Sequence, residues 1–211
     1  MAEGQFRLFT AFQLPEAWRQ EFLRLQAVLE RSAPGNLKLV RPELMHVTLV
    51  FLGEQPRSSL TAIQEACNSA AQDVGSFALH LGAPGAFGSP SNLRALWIGL
   101  TTPPPEMAVL HLRLTEELTR RAVAFDAKPL VPHITLARTR ARTDRSVSER
   151  LHGALGQLAV RGLDGARVEA FDLISSDLKP SGPDYSTLAA FPLVGGRGWA
   201  EQIDPIPMME P

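Results

Sequence analysis

Cysteine is almost absent from this chain. Cys67, alone among 211 residues, leaves no internal disulfide and no cysteine-rich zinc site. It falls in a helical stretch, Leu60–Asp73, and reads as a small buried hydrophobe. Tyrosine is equally scarce, with Tyr185 standing alone. An excess of one charge is lacking too. Lys and Arg total 21 against 22 Asp and Glu, a formal net charge of −1, so an anionic ligand must be held by a local patch rather than a global field. No run of 18 apolar residues occurs, and Met1–Thr10 has no basic segment leading into an apolar one. Neither a membrane span nor a secretory signal is therefore expected, and the cytoplasm is the default location. What is present, 45% hydrophobic and 20% charged residues, suits one globular domain with a sizeable core.

Strand-like and helix-like stretches alternate. Phe6–Phe12 alternates at a period near two. Pro15 opens a helix carrying Trp18, Phe22, Leu23, Leu25 and Leu29 at spacings of three and four, and Ala33-Pro34-Gly35 stops it. His46–Leu52 is a strand closed by Gly53, and Leu60–Asp73 a second helix. Phe77–Leu81 and Ala95–Leu100 read as strands joined by a Gly/Pro/Ser/Asn loop, Gly82–Asn92. Thr101-Thr102-Pro103-Pro104-Pro105 is read as a helix start, since Thr caps and Pro is accepted in the first turn. Val109, Leu110, Leu114 and Leu118 continue that helix. His133–Ala137 is a strand, Val147–Leu158 a helix, and Val168–Ser175 and Thr187–Val194 are strands. Residues 195–211 form an irregular extension, which leaves 1–194 as one domain of two lobes. Helix, strand beginning with His, helix, strands: the order occurs twice.

His46-Val47-Thr48-Leu49 and His133-Ile134-Thr135-Leu136 share one pattern, H-[VI]-T-L. Side chains alternate faces along a strand, so each copy shows an imidazole and a hydroxyl together, backed by an aliphatic pair. Two such strands side by side would surround a cavity with two imidazoles and two hydroxyls. Imidazole offers both protonation states near neutrality, so one copy can accept a proton and the other donate one, as phosphodiester cleavage requires. The hydroxyls can donate to non-bridging phosphate oxygens. The competing reading is a metal site. A histidine pair lacks the third and fourth ligands zinc usually takes, although Asp126 or Glu43 could complete one. A strand histidine can also be a packing residue.

The paired motifs resemble the signature of the two-histidine phosphoesterase superfamily. The surroundings look like its RNA 2′,3′-cyclic phosphodiesterase branch, also described as 2′–5′ RNA ligase-like. The likeness extends over Phe6–Phe12, HVTLVFLGE at 46–54, NLRALWIGL at 92–100, PHITLAR at 132–138 and Leu173–Leu193. It implies an α+β fold, a bilobal single domain with two pseudo-symmetric antiparallel sheets lining a central cleft and helices outside. It also implies hydrolysis of a terminal 2′,3′-cyclic phosphate to a 2′-phosphate without metal or other cofactor, and a weak reverse joining of RNA ends. His46 and His133 would be the acid/base pair, with Thr48 and Thr135 on the phosphate. The implied partner is an RNA end, tRNA fragments included, acted on by a monomer. Val50 departs from the pattern, since relatives often carry a polar residue there; by alternation it shares the His46 face.

Arg138 lies opposite His133 by strict alternation and reaches the cleft only if the strand bends. The resemblance makes it a phosphate contact. With Arg140, Arg142 and Arg145 it forms the densest basic run, either a solvated loop or a grip on RNA phosphates. Tyr185 either stacks on a base or packs. Phe9, Phe51 and Trp97 read as core, and His80, His111 and His152 as incidental.

Overall fold

The computed structural model describes residues 5–140, 144–161, 163–180 and 182–195. Its strands are β1 (Gln5–Gln13), β2 (Leu37–Leu39), β3 (His46–Pro56), β4 (Phe77–Leu79), β5 (Leu81–Ser89), β6 (Asn92–Leu100), β7 (His133–Thr139), β8 (Ala166–Val168), β9 (Ala170–Lys179) and β10 (Gly182–Pro192). The helices are α1 (Glu16–Ser32), α2 (Leu60–Ala71), α3 (Pro105–Arg120) and α4 (Arg145–Gly156).

Two four-stranded antiparallel sheets form, ordered β10-β9-β1-β3 and β2-β7-β6-β5, and β4 pairs with β8 in a small third sheet. The chain runs β1-α1-β3-α2-β4 and then β6-α3-β7-α4-β8, the same unit twice. Each unit's first helix crosses to the other lobe. α1 and α4 pack together behind the second sheet, α2 and α3 behind the first. The lobes are interlocked rather than merely adjacent, and one apolar core runs through both. β3 and β7, which carry the two motifs, approach each other directly.

Sequence patterns explain most of these elements. In α1, Trp18, Phe22, Leu25 and Leu29 are buried on one stripe, as spacings of three and four demand. Asp144 caps α4, its carboxylate accepting from the Val147 N–H at 2.8 Å. Cys67 is fully buried, and desolvation pushes its thiol up to about 12, so it packs as a hydrophobe.

Several expectations are corrected. Leu23 points to solvent. The expected loop Gly82–Asn92 is mostly strand β5, paired along β6. As an edge strand it tolerates Pro84 and glycines that a central strand would not. Gly53 does not end β3. It sits inside the strand at φ +69°, a left-handed conformation that glycine adopts at little cost, beside a register shift. β10 begins at Gly182, making a longer hairpin with β9 than expected. Of the expected extension 195–211, all but Gly195 lies outside the described residues.

Candidate active site

His46 and Thr48 stand half-buried on one face of β3 while Val47 and Leu49 are buried on the other. His133 and Thr135 stand likewise against Ile134 and Leu136 on β7. Each imidazole is anchored the same way. His46 Nδ1 lies 2.7 Å from the Leu44 carbonyl and His133 Nδ1 2.7 Å from the Val131 carbonyl, two residues upstream in both cases. A carbonyl can only accept, so Nδ1 carries hydrogen and Nε2 is left as the reacting nitrogen in each ring.

Alternation then breaks, identically in both strands. Thr10 pairs with Val50 but Ala11 with Thr48; Leu96 pairs with Ala137 but Trp97 with Thr135. One extra residue is accommodated after each Thr, a β-bulge that resets which face follows. Val50 therefore turns into the core at 3% exposure and does not share the His46 face, against expectation. Its place is taken by Phe51, which is 44% exposed and not a core residue. In β7 the equivalent position is Arg138, which the bulge carries round to the side of His133. The positive charge of Arg138 acts on both imidazoles and on the Tyr185 ring.

Buried polar side chains hold these bulges. The Thr10 hydroxyl, fully buried, accepts from the Val50 N–H at 3.1 Å and donates to the Val50 carbonyl at 3.4 Å. Buried Gln26, on α1, donates to the Leu136 and Val40 carbonyls at 2.7 Å each. Gln55 donates to the Leu52 and Ala124 carbonyls beyond the Gly53 irregularity. A bulge frees backbone groups from the ladder, and a buried one must find partners.

Aromatic rings surround both histidines. Phe9 stacks on His46 with ring centroids 4.8 Å apart, and Tyr185 meets His46 edge-on at 5.6 Å. Phe9 is buried as expected, but in a small cluster with Ala11 and Ile174, apart from the main core, against which Tyr185 packs. Around His133, Phe87 lies edge-on at 4.8 Å and Trp97 at 6.0 Å. Trp97 is thus a half-exposed neighbour of His133 rather than a core residue. A Cβ on Gly85 would come within 2.2 Å of the Trp97 indole, so glycine at 85 gives the ring room to lie across β5.

Burial pushes the His46 imidazole below its usual range. The hydrogen bond to Leu44 opposes this, and the charges of His133 and Arg138 reinforce it. Burial lowers His133 as well, opposed by the Val131 carbonyl and reinforced by Arg138. Burial raises the Tyr185 phenol, which stays a neutral donor at pH 7. The pair therefore favours neutral imidazole until an anion arrives to support a proton.

The basic run disperses. Arg140 donates to the Leu37 carbonyl at 3.0 Å, tying β2 down, and Arg145 pairs with Glu149 at 2.8 Å. Arg142 lies outside the described residues. His80 and His152 are exposed, and His111 is half-buried on α3. Among the described residues no three His, Cys, Asp or Glu side chains gather as a metal would require, and Asp126 pairs with Lys128 at 2.8 Å. No helix among the described residues is long and apolar enough to cross a membrane. Sequence reasoning missed Thr10, Gln26 and Phe87. The apolar doublets Leu49-Val50 and Leu136-Ala137 were the signal for the bulges, since two apolar neighbours break strict alternation.

Residues 14–180 match the model of the 2′-5′ RNA ligase superfamily. The chain belongs to that superfamily. Curated relatives match over most of the chain. The RNA 2′,3′-cyclic phosphodiesterase of Thermus thermophilus is 32% identical over 91% of this chain and 92% of its own length. The enzyme of the same name from Methanothermobacter thermautotrophicus is 29% identical over 89% and 98%. A crystal structure from Thermus thermophilus superposes with a TM-score of 0.75 at 30% identity, covering 90% of this chain and 98% of that one. Escherichia coli LigT, crystallised with 3′-AMP, shares the fold at a TM-score of 0.70 and 23% identity, covering 90% and 99%. The mixed α/β domain with two antiparallel sheets is thus the superfamily's fold.

Proposed function

We propose that this superfamily member is a hydrolase that opens the 2′,3′-cyclic phosphate at the 3′ end of RNA to a 2′-phosphate, using residues 1–194 as its catalytic domain and no metal. The observation that carries the reading is the matched pair of histidines. Both rings stand on facing strands, each has Nδ1 tied to a carbonyl two residues upstream, and each keeps Nε2 for the reaction. The names borne by relatives that are 29–32% identical over most of the chain supply the substrate class.

In this reading the cyclic phosphate lies between the two Nε2 atoms. One histidine, neutral, takes a proton from water as its oxygen bonds to phosphorus. The other, protonated, gives its proton to the departing 3′-oxygen as the P–O3′ bond breaks. Thr48 and Thr135 donate to the non-bridging oxygens and Arg138 neutralises their charge. Proton exchange with solvent resets the pair. With the 5′-hydroxyl of another RNA in place of water, the same steps form a P–O5′ bond as the P–O3′ bond breaks and leave a 2′–5′ linkage, which is the weak ligation of this reading. The named groups all lie on one chain, and the reading takes the protein to act as a monomer on RNA in the cytoplasm.

The test uses an RNA oligonucleotide ending in a 2′,3′-cyclic phosphate, incubated with EDTA, with the terminal phosphate then located. The wild type is expected to leave a 2′-phosphate, and His46→Ala and His133→Ala each to slow turnover by on the order of 10³-fold or more. Activity surviving both substitutions, or vanishing with EDTA alone, would overturn the mechanism.

A further inference from the structure

The second sheet continues past its motif strand and the first does not. β3 is an edge strand in the order β10-β9-β1-β3, whereas β7 has β2 outside it in the order β2-β7-β6-β5. The middle residue of the short strand β2, Lys38, is the direct cross-strand partner of Arg138. Opposed residues share a face, so exposed Lys38 stands on the cleft side with Arg138, while Leu37 and Leu39 alternate to the other. Register carries the row on: Arg138 pairs with Ala95 on β6, and Ala95 with Phe87 on β5. Along this one row the sheet is cationic toward its β2 edge and aromatic toward β5. The spacing of neighbouring strands puts Lys38 about 5 Å beyond Arg138, on the way out of the cleft.

The charge on this row is not neutralised. Cations on the outer surface are commonly paired, Arg145 with Glu149 at 2.8 Å and Arg167 with Glu169 at 2.9 Å. Among the described residues neither Lys38 nor Arg138 makes an ion pair. The β9–β10 hairpin of the other sheet meets the same edge. A Cβ on Gly182 would lie 3.9 Å from Lys38 Nζ, and Arg41 donates to the Pro183 carbonyl at 3.4 Å. The hairpin's acids Asp177 and Asp184 are both paired with Lys179, so they leave Lys38 its charge. In a chain of formal net charge −1, two unpaired cations in one row are the local patch that an anionic ligand needs. Arg138 serves the cyclic phosphate, which leaves Lys38 for a second anion, one strand farther out.

An RNA chain carries such an anion in the phosphate that links its last two nucleotides, and a nucleoside 2′,3′-cyclic phosphate does not. We infer that Lys38 binds the phosphate on the 5′ side of the terminal nucleotide, so that the RNA leaves the cleft across β2 and oligonucleotide ends are favoured over nucleoside cyclic phosphates. The inference rests on the hydrolase reading for the place of the cyclic phosphate beside Arg138. It sends the RNA over β2 rather than along the basic run that follows Arg138.

The experiment compares three substrates: adenosine 2′,3′-cyclic phosphate, the same compound with a 5′-phosphate, and an adenosine dinucleotide ending in the cyclic phosphate. In the wild type, kcat/KM is expected to be about three- to tenfold higher for the second and third than for the first, mainly through KM. Lys38→Gln should bring the three within about twofold of one another, Lys38→Glu should put the first above the others, and Lys38→Arg should restore the wild-type order. Arg138→Met should slow all three together, and Arg145→Gln, in the basic run, should keep the wild-type ratio. Binding is read separately, by titration calorimetry with adenosine 2′-phosphate and adenosine 2′,5′-bisphosphate. Equal turnover of the three substrates by the wild type, or a ratio that survives Lys38→Gln, overturns the Lys38 site and leaves the hydrolase reading standing. A preference for the bisphosphate that Lys38→Gln removes, seen without any turnover, supports the site and removes the hydrolase reading. Absence of both binding and turnover overturns both.

Discussion

The two lobes share a backbone and differ in what they hang on it. Both motif strands place His and Thr on the cleft, bulge after the Thr, and tie Nδ1 to a carbonyl two residues upstream. The first lobe fixes its bulge with the Thr10 hydroxyl from a neighbouring strand, whereas the second uses the Gln26 amide from a helix. At the position the bulge exposes, the first lobe shows Phe51 and the second Arg138. One backbone solution thus supports two unlike braces and two unlike chemistries. Aromatic rings stand beside both histidines, but at the bulges the cleft has an aromatic flank at Phe51 and a cationic flank at Arg138, and an anion bound between them is attracted from one side.

The sharpest way to break this asymmetry is to remove the cation. Arg138→Met is expected to lower kcat/KM on a cyclic-phosphate RNA end by on the order of 10²-fold and to flatten its salt dependence. Phe51→Ala, the equivalent position in the other lobe, should cost only a few-fold and leave the salt dependence steep. Steady-state kinetics over a series of salt concentrations separate the two. Equal losses from both substitutions would mean that the lobes contribute alike.

The braces come next. Thr10→Val keeps the shape of the side chain but leaves the Val50 N–H without its hydroxyl. Gln26→Leu strips the Val40 carbonyl of its Gln26 donor, while the Leu136 carbonyl still accepts from Val40 N at 2.9 Å. Each should destabilise by about 1–3 kcal/mol, the cost of a buried polar group losing its partner, and lower Tm accordingly. Thr10→Val should disturb Phe51 and spare Arg138, so its kinetic cost falls on the aromatic flank. Thermal unfolding and the salt dependence of kcat/KM, measured on both variants, test whether the braces are as separate as the geometry makes them.

The repeated order of elements was legible because helices and strands carry different apolar periods, and H-[VI]-T-L marks the start of each motif strand unmistakably. The interlocking of the lobes was not, since nothing local in α1 says which sheet it will cover. β5 was hidden because an edge strand rich in Gly and Pro carries no alternation to read. Alternation misplaces Val50, and leaves Arg138 to a bend, for one shared reason. A bulge shifts every later side chain to the other face, and alternation counted from the histidine cannot see it. Gln13 meets His46 as its cross-strand partner and Phe87 reaches His133 from the strand beyond β6, relations that exist only once register is set.

The smallest expected effect concerns protons, and it tests the comparison most directly. Both imidazoles are held below the usual histidine range, by burial first and then by positive charge, and Arg138 acts on the two together. The charge on either histidine also disfavours a charge on the other, so the pair shares its protons and titrates as a unit. In free enzyme the bell-shaped profile of kcat/KM should therefore centre on the acid side of an ordinary imidazole pair. A bound phosphate anion favours the imidazolium, which moves the profile of kcat to higher pH. Removing a cation has the same sign: Arg138→Met should raise both imidazole titrations, His46 as well as His133, although only His133 shares its strand. Phe51→Ala takes away no charge and should move them less. Following the imidazole Hε1 signals by NMR across pH 4–8 in the wild type and both variants would show it. If Arg138→Met shifted His133 alone, Arg138 would belong to one lobe only, and the cleft would be two half-sites rather than one.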